Sequence, residues 1–356
     1  MERSTRPPVP ACADHGRPSG ATRRALLATA LGAAASPLPA LPALLAAPVR
    51  AATPAPGAWP QKPLRILVVY PAGGISDAVA RALADKLAAQ FGMPVVVENR
   101  AGAGGSVGME ALAKSPADGC TLAFSSVSPL TLTPHLGKVG YDPVKDIAPV
   151  MAVMHTPVLL VGTPAFEGKD FKDMLAIARA GKGGLRWGTS GQATIGHLVL
   201  EQVKLASKAD LVHIPYKGGG QQLNDALSGH FELLSTNLGP AQMQYIQAGR
   251  FKPLAVGAPT RLERLPDVPT FAELGYPAAN LTSLFGIFAP GRTPEPLLQR
   301  LNAELNTALK LPDIHSRLVS VDNIPVGGTA AEFARLISRE SDANKRIIQA
   351  ARIQAE

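Results

Sequence analysis

Short apolar runs alternate with helical patterns along most of the chain, and this alternation constrains the fold more than any other feature. Residues 65–70 (RILVVY) and 95–98 (VVVE) are apolar and rich in β-branched side chains, which is typical of buried strands. Between them, Val79, Leu83 and Leu87 recur every four residues, as on one face of a helix. A strand, a helix and a strand in this order predict a βαβ unit with two parallel strands.

The same alternation continues to the C-terminus and predicts an α/β chain with about ten strands in two small sheets. Further strands are predicted at residues 121–124, 158–161, 185–188, 212–214, 231–234, 253–256 and 285–289. Further helices are predicted at residues 105–114, 171–179, 195–205, 221–227, 241–247, 295–310, 313–320 and 330–354. The first helix is predicted to begin with Asp77 as its N-cap, because a short acidic side chain can accept a backbone N–H there.

The first fifty residues have the composition of an export signal. Arg23 and Arg24 precede an apolar run at residues 25–47, and small residues follow near Ala51. The paired arginines fit a twin-arginine signal, while the Sec route stays open. A membrane-anchoring helix is disfavoured because prolines interrupt the run. We therefore expect residues 1–51 to be a cleaved signal, residues 52–61 a flexible leader, and the mature protein to be exported.

The charge of the chain belongs largely to this signal. The formal net charge is +8, from 35 Lys and Arg against 27 Asp and Glu. Residues 1–51 hold six arginines and two acidic residues, so half of the surplus leaves with the signal. Basic residues are scattered over the remainder and aromatic residues are few, so nucleic-acid binding is not predicted. Cys120 is the one cysteine left, which excludes an internal disulfide and a cysteine-based zinc site.

Three glycine-containing loops lie where a predicted strand meets a predicted helix. They are the Gly73 loop (residues 71–77), the Gly104 loop (residues 102–108) and the Ser190 loop (residues 188–194). In open α/β sheets such loops lie at the carboxyl ends of strands, where backbone N–H groups and helix N-termini favour an anion. The alternative, that each glycine only makes a tight turn, stays open for any one loop. Loops from different parts of the chain favour a ligand-binding cleft.

Cofactor and catalytic motifs are not recognised in the sequence. The Gly104 loop has the spacing G-x-G-G-x-x-G and lacks the acidic residue that a dinucleotide fingerprint needs. There is no H-E-x-x-H or P-loop motif, and the histidines lack metal-ligand spacing. We therefore expect no cofactor, no metal and no catalysis. An exported enzyme acting on small organic acids remains an alternative, and it would need His197 or Asp77 as its base.

A series of short motifs follows along the chain from about residue 60 to its end. They lie at residues 70–77 with Arg81, 95–105 (VVVENRAGAGG), 118–122 (DGCTL), 141–143 (YDP), 213–218 (HIPYKG), 265–270 (LPDVPT) with 273–275, and 289–294. In order and spacing they resemble the tripartite tricarboxylate transporter receptor (Bug) family of periplasmic solute-binding proteins. Positions that depart from the usual family pattern include Tyr70, Ala72, Ala193 and Leu284.

The resemblance implies an α/β fold with two lobes of the periplasmic-binding-protein (Venus flytrap) type, each a mainly parallel sheet flanked by helices. Lobe 1 is expected at residues 62–158 plus 285–356, and lobe 2 at residues 159–284. It further implies a monomer that closes on a small carboxylate, which is a mono-, di- or tricarboxylate or an amino acid. The expected partner is a pair of membrane permease subunits, with a membrane signalling protein as the alternative.

The resemblance places the ligand between the Gly73 loop and the Ser190 loop. Asp77 is expected to cap the helix and organise the loop rather than touch the anion. The hydroxyls of Ser76, Ser190 and Thr194 are expected to donate to the anion. The candidate ligand-binding residues are Tyr70, Gly73, Gly74, Ser76, Asp77, Ser126, Ser190, Gly191, Thr194 and His197.

Overall fold

The structure, a computed structural model, describes residues 59–181 and 183–353. The predicted signal at residues 1–51 and most of the predicted leader lie outside the described residues. Trp59, at the end of that leader, is anchored: its indole N–H donates to the Asp118 carbonyl (2.9 Å), and its ring meets Phe91 edge-on. The chain is therefore attached to the folded body from Trp59 onward, and is not a free leader there.

The N-terminal part of the described chain contains the predicted βαβ unit. Its elements are β1 (Leu64–Val68), α1 (Ile75–Phe91), β2 (Val95–Asn99), α2 (Ser106–Ala113), β3 (Thr121–Ser126), α3 (Ser128–Thr131), α4 (Thr133–Leu136) and β4 (Ile147–Gly162). Strand β1 pairs in parallel with both β2 and β3, which confirms the βαβ prediction.

Helix α1 begins three residues earlier than predicted. Its N-cap is Gly74, and Asp77 lies inside the first turn, so the prediction that Asp77 is the N-cap was wrong. The helix ends at Gly92, whose φ of 60° lies in the left-handed region that glycine adopts without a steric cost. The Gly92 N–H donates to the Ala88 carbonyl and so satisfies an acceptor at the end of the helix.

The middle of the chain repeats the strand–helix alternation. Its elements are α5 (Phe171–Ala180), β5 (Leu185–Thr189), α6 (Ile195–Ser207), β6 (Leu211–Pro215), α7 (Gly219–Leu227), β7 (Leu233–Asn237), α8 (Pro240–Gln247) and β8 (Lys252–Gly257). Strand β5 pairs in parallel with β6 and β7. The carboxyl ends of these three strands therefore lie at one edge of their sheet.

The C-terminal part returns to the first strands. Its elements are β9 (Thr282–Pro290), α9 (Glu295–Leu309), α10 (Pro312–Val319), β10 (Ile324–Gly327) and α11 (Ala330–Ala351). Strand β10 was not predicted, because it is short and contains a proline and a glycine. Near the end of α11, Ile348 packs into the core around β5 and β7. Within the described residues, no helix is both long enough and apolar enough to cross a membrane.

Strand β4 divides the structure into two strand groups. Its residues 147–157 pair with β9, and part of that stretch also pairs with β10, whereas its residues 158–162 pair with β7 and β8. We call β1, β2, β3, β9, β10 and the N-terminal part of β4 the first group, and β5–β8 with the C-terminal part of β4 the second group. All pairings of β4, and that of β3 with β9, are antiparallel, so both groups are mixed rather than mainly parallel.

Each group has its own apolar core. In the first group, Phe124 and Phe285 stack with their ring centroids 6.0 Å apart. In the second group, Trp187 and Phe271 are fully buried. Burial of such large side chains in two separate clusters stabilises each group around its own sheet. The loops that follow the parallel strands lie between the two groups.

Candidate functional site

A cavity of about 300 Å³ lies between the two strand groups, and loops from both line it. Tyr70 and the Gly73 loop form one wall, and the Ser190 loop forms part of the opposite wall. Because the loops follow β1 and β5, they come from the carboxyl ends of parallel strands, where ligands bind in open α/β sheets. The cavity also reaches the N-terminal ends of α1 and α6, at Ile75 and Ile195.

The structure brings most of the sequence-predicted residues to this cavity. Those that line it are Tyr70, Gly73, Gly74, Ser76, Ser126, Ser190 and Thr194. The other three, Asp77, Gly191 and His197, are buried outside its wall. Their side chains or backbone groups support the two loops from behind, as the hydrogen bonds below show.

Tyr70 and Ser126 form a polar pair on the first wall. The Tyr70 hydroxyl lies 2.6 Å from Ser126 Oγ, which also accepts the Ser128 N–H at 3.3 Å. The Tyr70 ring meets Phe285 edge-on, so packing holds the phenol in place. Burial raises the pKa of Tyr70, although hydrogen bonds with the side chain and backbone of Ser126 oppose this rise. Tyr70 therefore presents a neutral hydroxyl to the cavity at neutral pH.

Asp77 organises the Gly73 loop from inside the protein. Its carboxylate accepts hydrogen bonds from the Gly73 N–H (3.1 Å), Arg81 Nε (3.1 Å) and Asn99 Nδ2 (3.0 Å). Burial pushes the pKa of Asp77 upward, but these hydrogen bonds and the Arg81 charge outweigh burial and hold the pKa below its usual range. The expectation that Asp77 organises the loop agrees with these contacts, although it does so from the first turn and not from the N-cap.

Thr194 caps helix α6 rather than presenting a free hydroxyl. Its Oγ1 accepts the His197 N–H (3.4 Å) and donates to the Gly191 carbonyl (2.8 Å). Thr194 is the N-cap of α6. Its single proton is used inside the loop, so donation from Thr194 to an anion stays a prediction that would require the bond to the Gly191 carbonyl to break. Ser76 and Ser190, in contrast, have hydroxyls with no hydrogen bond to the described residues.

His197 stacks on His213 beneath the Ser190 loop. Their ring centroids are 4.1 Å apart with an angle of 5° between the planes. His197 Nδ1 accepts the Ala193 N–H (3.4 Å), and His213 Nε2 lies 2.7 Å from Thr189 Oγ1. Burial lowers the pKa of His197 to about 4 and that of His213 to about 3. Both rings are therefore neutral at pH 7 and support the loop.

The sequence did not predict a further set of lining residues, which are neutral polar side chains of α7, β7 and α8 in the second group and of β9 in the first. They are Asn224, Ser235, Thr236, Asn237, Gln242 and Ser283. Ser283 Oγ donates to Asn237 Oδ1 (2.8 Å), and Gln242 Nε2 donates to Thr236 Oγ1 (3.3 Å). One signal was available: the run of glycines at residues 218–220 also lies between a strand and a helix, like the three loops singled out above.

The wall of the cavity carries no ionisable side chain other than the Tyr70 phenol. Its polar atoms are hydroxyls, amides and backbone groups, and no Lys, Arg, His, Asp or Glu of the described residues lines it. The N-terminal ends of α1 and α6 add backbone N–H groups with a partial positive charge. Within the described range, no group of three or more His, Cys, Asp or Glu could hold a metal ion. The arrangement suits an anion bound by neutral donors.

Comparison with known proteins supplies the family. The profile of the tripartite tricarboxylate transporter family receptor matches residues 79–353. The chain belongs to this family. Protein BugT of Bordetella pertussis is 35% identical over 301 residues, which cover 83% of this chain and 90% of BugT. The family relationship therefore extends over nearly all of the described residues.

Solved structures of similar proteins share the fold. A structure described as a periplasmic transporter is 36% identical to this chain, with a TM-score of 0.79. The alignment covers 83% of this chain and 99% of the transporter chain. The Rhodopseudomonas palustris protein Rpa4515, solved with adipate, is 30% identical with a TM-score of 0.78, covering 83% of this chain and 99% of its own. These likenesses confirm the predicted two-lobed α/β fold of the receptor family.

Proposed function

We propose that this receptor binds a small carboxylate in the cavity between the two strand groups. The observation that carries the proposal is a cavity with no side-chain charge, onto which α1 and α6 direct their N-terminal ends from opposite groups. The hydroxyls of Ser76 and Ser190 have no internal acceptor and can donate to a carboxylate. A relative with the same fold, Rpa4515, was solved with adipate, which supports a carboxylate as the ligand class.

We further propose that the two strand groups are the two lobes that close on the ligand. Two crossings connect them: β4 changes partners between Pro157 and Val158, and the chain returns into β9 at Thr282. A few residues at the ends of elements are sufficient to act as a hinge. In this proposal the lobe boundaries lie at these crossings, close to residues 158 and 284.

Transport follows from family membership rather than from the cavity. We propose that the exported, loaded receptor works in the periplasm and delivers its carboxylate to membrane permease subunits of a tripartite transporter. Deleting the gene that encodes this chain should abolish uptake of the labelled carboxylate by intact cells, and reintroducing the gene should restore uptake. Unchanged uptake, together with loss of a transcriptional response to the carboxylate, would instead favour the sensor alternative.

We propose binding without catalysis. The two side chains that an enzyme would need as bases, Asp77 and His197, lie outside the cavity wall and are engaged with the loops. A general base has to lie within hydrogen-bond reach of the proton that it removes. Recovery of the carboxylate unchanged after prolonged incubation with the protein tests this proposal.

A thermal-shift screen tests the carboxylate proposal directly. The mature protein is heated with mono-, di- and tricarboxylates and with amino acids, and adipamide serves as the uncharged control for adipate. A carboxylate present at 100 times its Kd should raise the free energy of unfolding by about 2.7 kcal/mol and the melting temperature with it. Adipamide should have no effect. If no carboxylate raises the melting temperature of protein freed of bound ligand, the proposal fails.

A further inference from the structure

The Gly104 loop does not line the cavity, yet it touches the Ser190 loop across the boundary between the two strand groups. Gly104 has φ +63°, and a Cβ placed on it would lie 2.7 Å from the Gln192 carbonyl oxygen, closer than real Cβ atoms approach. From the other side, a Cβ on Gly191 would lie 3.6 Å from the Gly104 Cα and N. The two backbones therefore meet through glycines, with no room for a side chain at residue 104.

Two further glycines of the second group lie beside side-chain atoms of the first group. A Cβ on Gly218, just before α7, would lie 2.4 Å from Pro71 Cγ and Cδ. A Cβ on Gly239, just before α8, would lie 3.5 Å from Ile75 Cβ. In each pair, one residue follows a strand of the first group and the other follows a strand of the second group. The groups thus also approach each other around the cavity where these two glycines meet the side chains of Pro71 and Ile75.

We infer that Gly104 is a positioning residue that permits the closed arrangement of the receptor. It acts through the Ser190 loop and does not line the cavity, because its missing side chain lets the Gln192 carbonyl approach. A methyl group at residue 104 would keep the two loops apart, since backbone atoms on both sides cannot move aside as a flexible side chain can. The inference rests on the proposed lobes, and it does not depend on which carboxylate is bound.

The chain contains a matched control for the backbone strain. Gly92 has φ +60°, nearly the value of Gly104, and a Cβ placed on it would meet no atom within 4 Å. Gly92→Ala and Gly104→Ala therefore impose the same left-handed conformation on alanine, with a similar fall of a few degrees in melting temperature. Only Gly104→Ala inserts a methyl group between the two loops.

Distances between spin labels measure closure without requiring a ligand. Labels are attached at Gln90→Cys in α1 and Ala206→Cys in α6, both exposed and in different groups, in the mature protein with Cys120→Ser. Distance distributions are recorded for the ligand-free protein, and again with malate and with adipate. The wild-type background should show a short-distance, closed population in at least one of these conditions.

Gly104→Ala should lower the ratio of closed to open molecules by about ten-fold or more in that condition, whereas Gly92→Ala should keep the wild-type ratio. The inference is overturned if Gly104→Ala keeps the wild-type ratio of closed to open molecules, or if Gly92→Ala lowers that ratio as much as Gly104→Ala does. It is also overturned if the wild type shows no closed population in any condition. If no carboxylate binds in the thermal-shift screen, the proposed ligand class fails, while the ligand-free distances still decide the role of Gly104.

Discussion

The Tyr70 hydroxyl lies 2.6 Å from Ser126 Oγ, and this contact joins the carboxyl ends of β1 and β3 at the wall of the cavity. The two strands are neighbours in a parallel pair, so their ends come to the same edge of the sheet although 56 residues separate the two side chains. The pair supplies the cavity with a neutral hydroxyl held in place by packing and hydrogen bonding.

Removing the Tyr70 hydroxyl should weaken binding with little loss of packing. Tyr70→Phe keeps the ring against Phe285, so the expected effect is about a three- to ten-fold weaker Kd for the best carboxylate of the screen. Calorimetric titration measures it. Tyr141→Phe is the control, because it also removes a buried phenol hydrogen bond, to the Pro129 carbonyl, but away from the cavity wall. Equal affinities for wild type and Tyr70→Phe would show that the Tyr70 hydroxyl does not bind the carboxylate.

Ser190→Ala should reduce affinity and leave stability unchanged. The Ser190 hydroxyl lines the cavity and has no partner among the described residues, so only a bound carboxylate would lose a hydrogen bond. A hydrogen bond to a charged group contributes about 1.5–3 kcal/mol, which corresponds to roughly a ten- to hundred-fold change in Kd. Ser115→Ala, which removes a hydroxyl bonded to Ala111 in α2, should keep the wild-type Kd. An unchanged Kd in Ser190→Ala would contradict the proposed site.

Thr194→Ala should act on stability first. Losing an N-cap side chain costs about 1 kcal/mol of the free energy of unfolding, and the Ser190 loop loses its bond to the Gly191 carbonyl as well. Thr329→Ala, at the N-cap of α11, should cost a similar amount without affecting binding. Urea unfolding measures both variants, and Thr194→Ser should restore most of the loss. A Thr194→Ala protein as stable as wild type would show that the cap contributes nothing.

Asp77→Asn should destabilise the protein at neutral pH and do so less in acid. The pKa of Asp77 is held below its usual value of 3.8, so its charged form stabilises the folded state above pH 3.8, and this contribution is lost as pH falls through the lower folded pKa. We expect a loss of about 1–3 kcal/mol at pH 7. Urea unfolding at pH 7 and near pH 3 measures the difference. Asp85→Asn, an exposed site on the same helix, should change stability by less than about 0.5 kcal/mol.

The stacked histidines should make the protein less stable in mild acid. Their folded pKa values of about 4 and about 3 lie below the unfolded value near 6.5, so the unfolded state takes up protons first as pH falls below 6.5. Between pH 6.5 and 5, each histidine should remove about 1–2 kcal/mol from the free energy of unfolding. His213→Gln should lose less stability over this range than wild type. Parallel pH profiles for the two proteins would contradict the buried, neutral state of the pair.

The sequence by itself determined the local elements and two of the loops at the cavity. The four-residue spacing of Val79, Leu83 and Leu87 and the glycine after the helix depend only on neighbours in the chain, so α1 and its βαβ unit could be predicted. The series of motifs from about residue 60 to the end also indicated the family, which the profile match at residues 79–353 confirms, and with it the fold. Such signals survive in sequence because helix periodicity and glycine conformation are local properties.

Only the tertiary structure decided which groups face the cavity and which support it. Thr194 has a hydroxyl, as Ser190 does, yet the Thr194 hydroxyl donates to the Gly191 carbonyl because Thr194 is the N-cap of α6. His197 meets His213 from a neighbouring strand, and Gly104 meets Gln192 from the other strand group. The pairing of β6 with β5 brings His213 to His197, and the switch of partners along β4, between β9 and the strands β7 and β8, brings the Gly104 loop to the Ser190 loop. Contacts of this kind follow from how two sheets share one strand, which no local pattern of residues encodes.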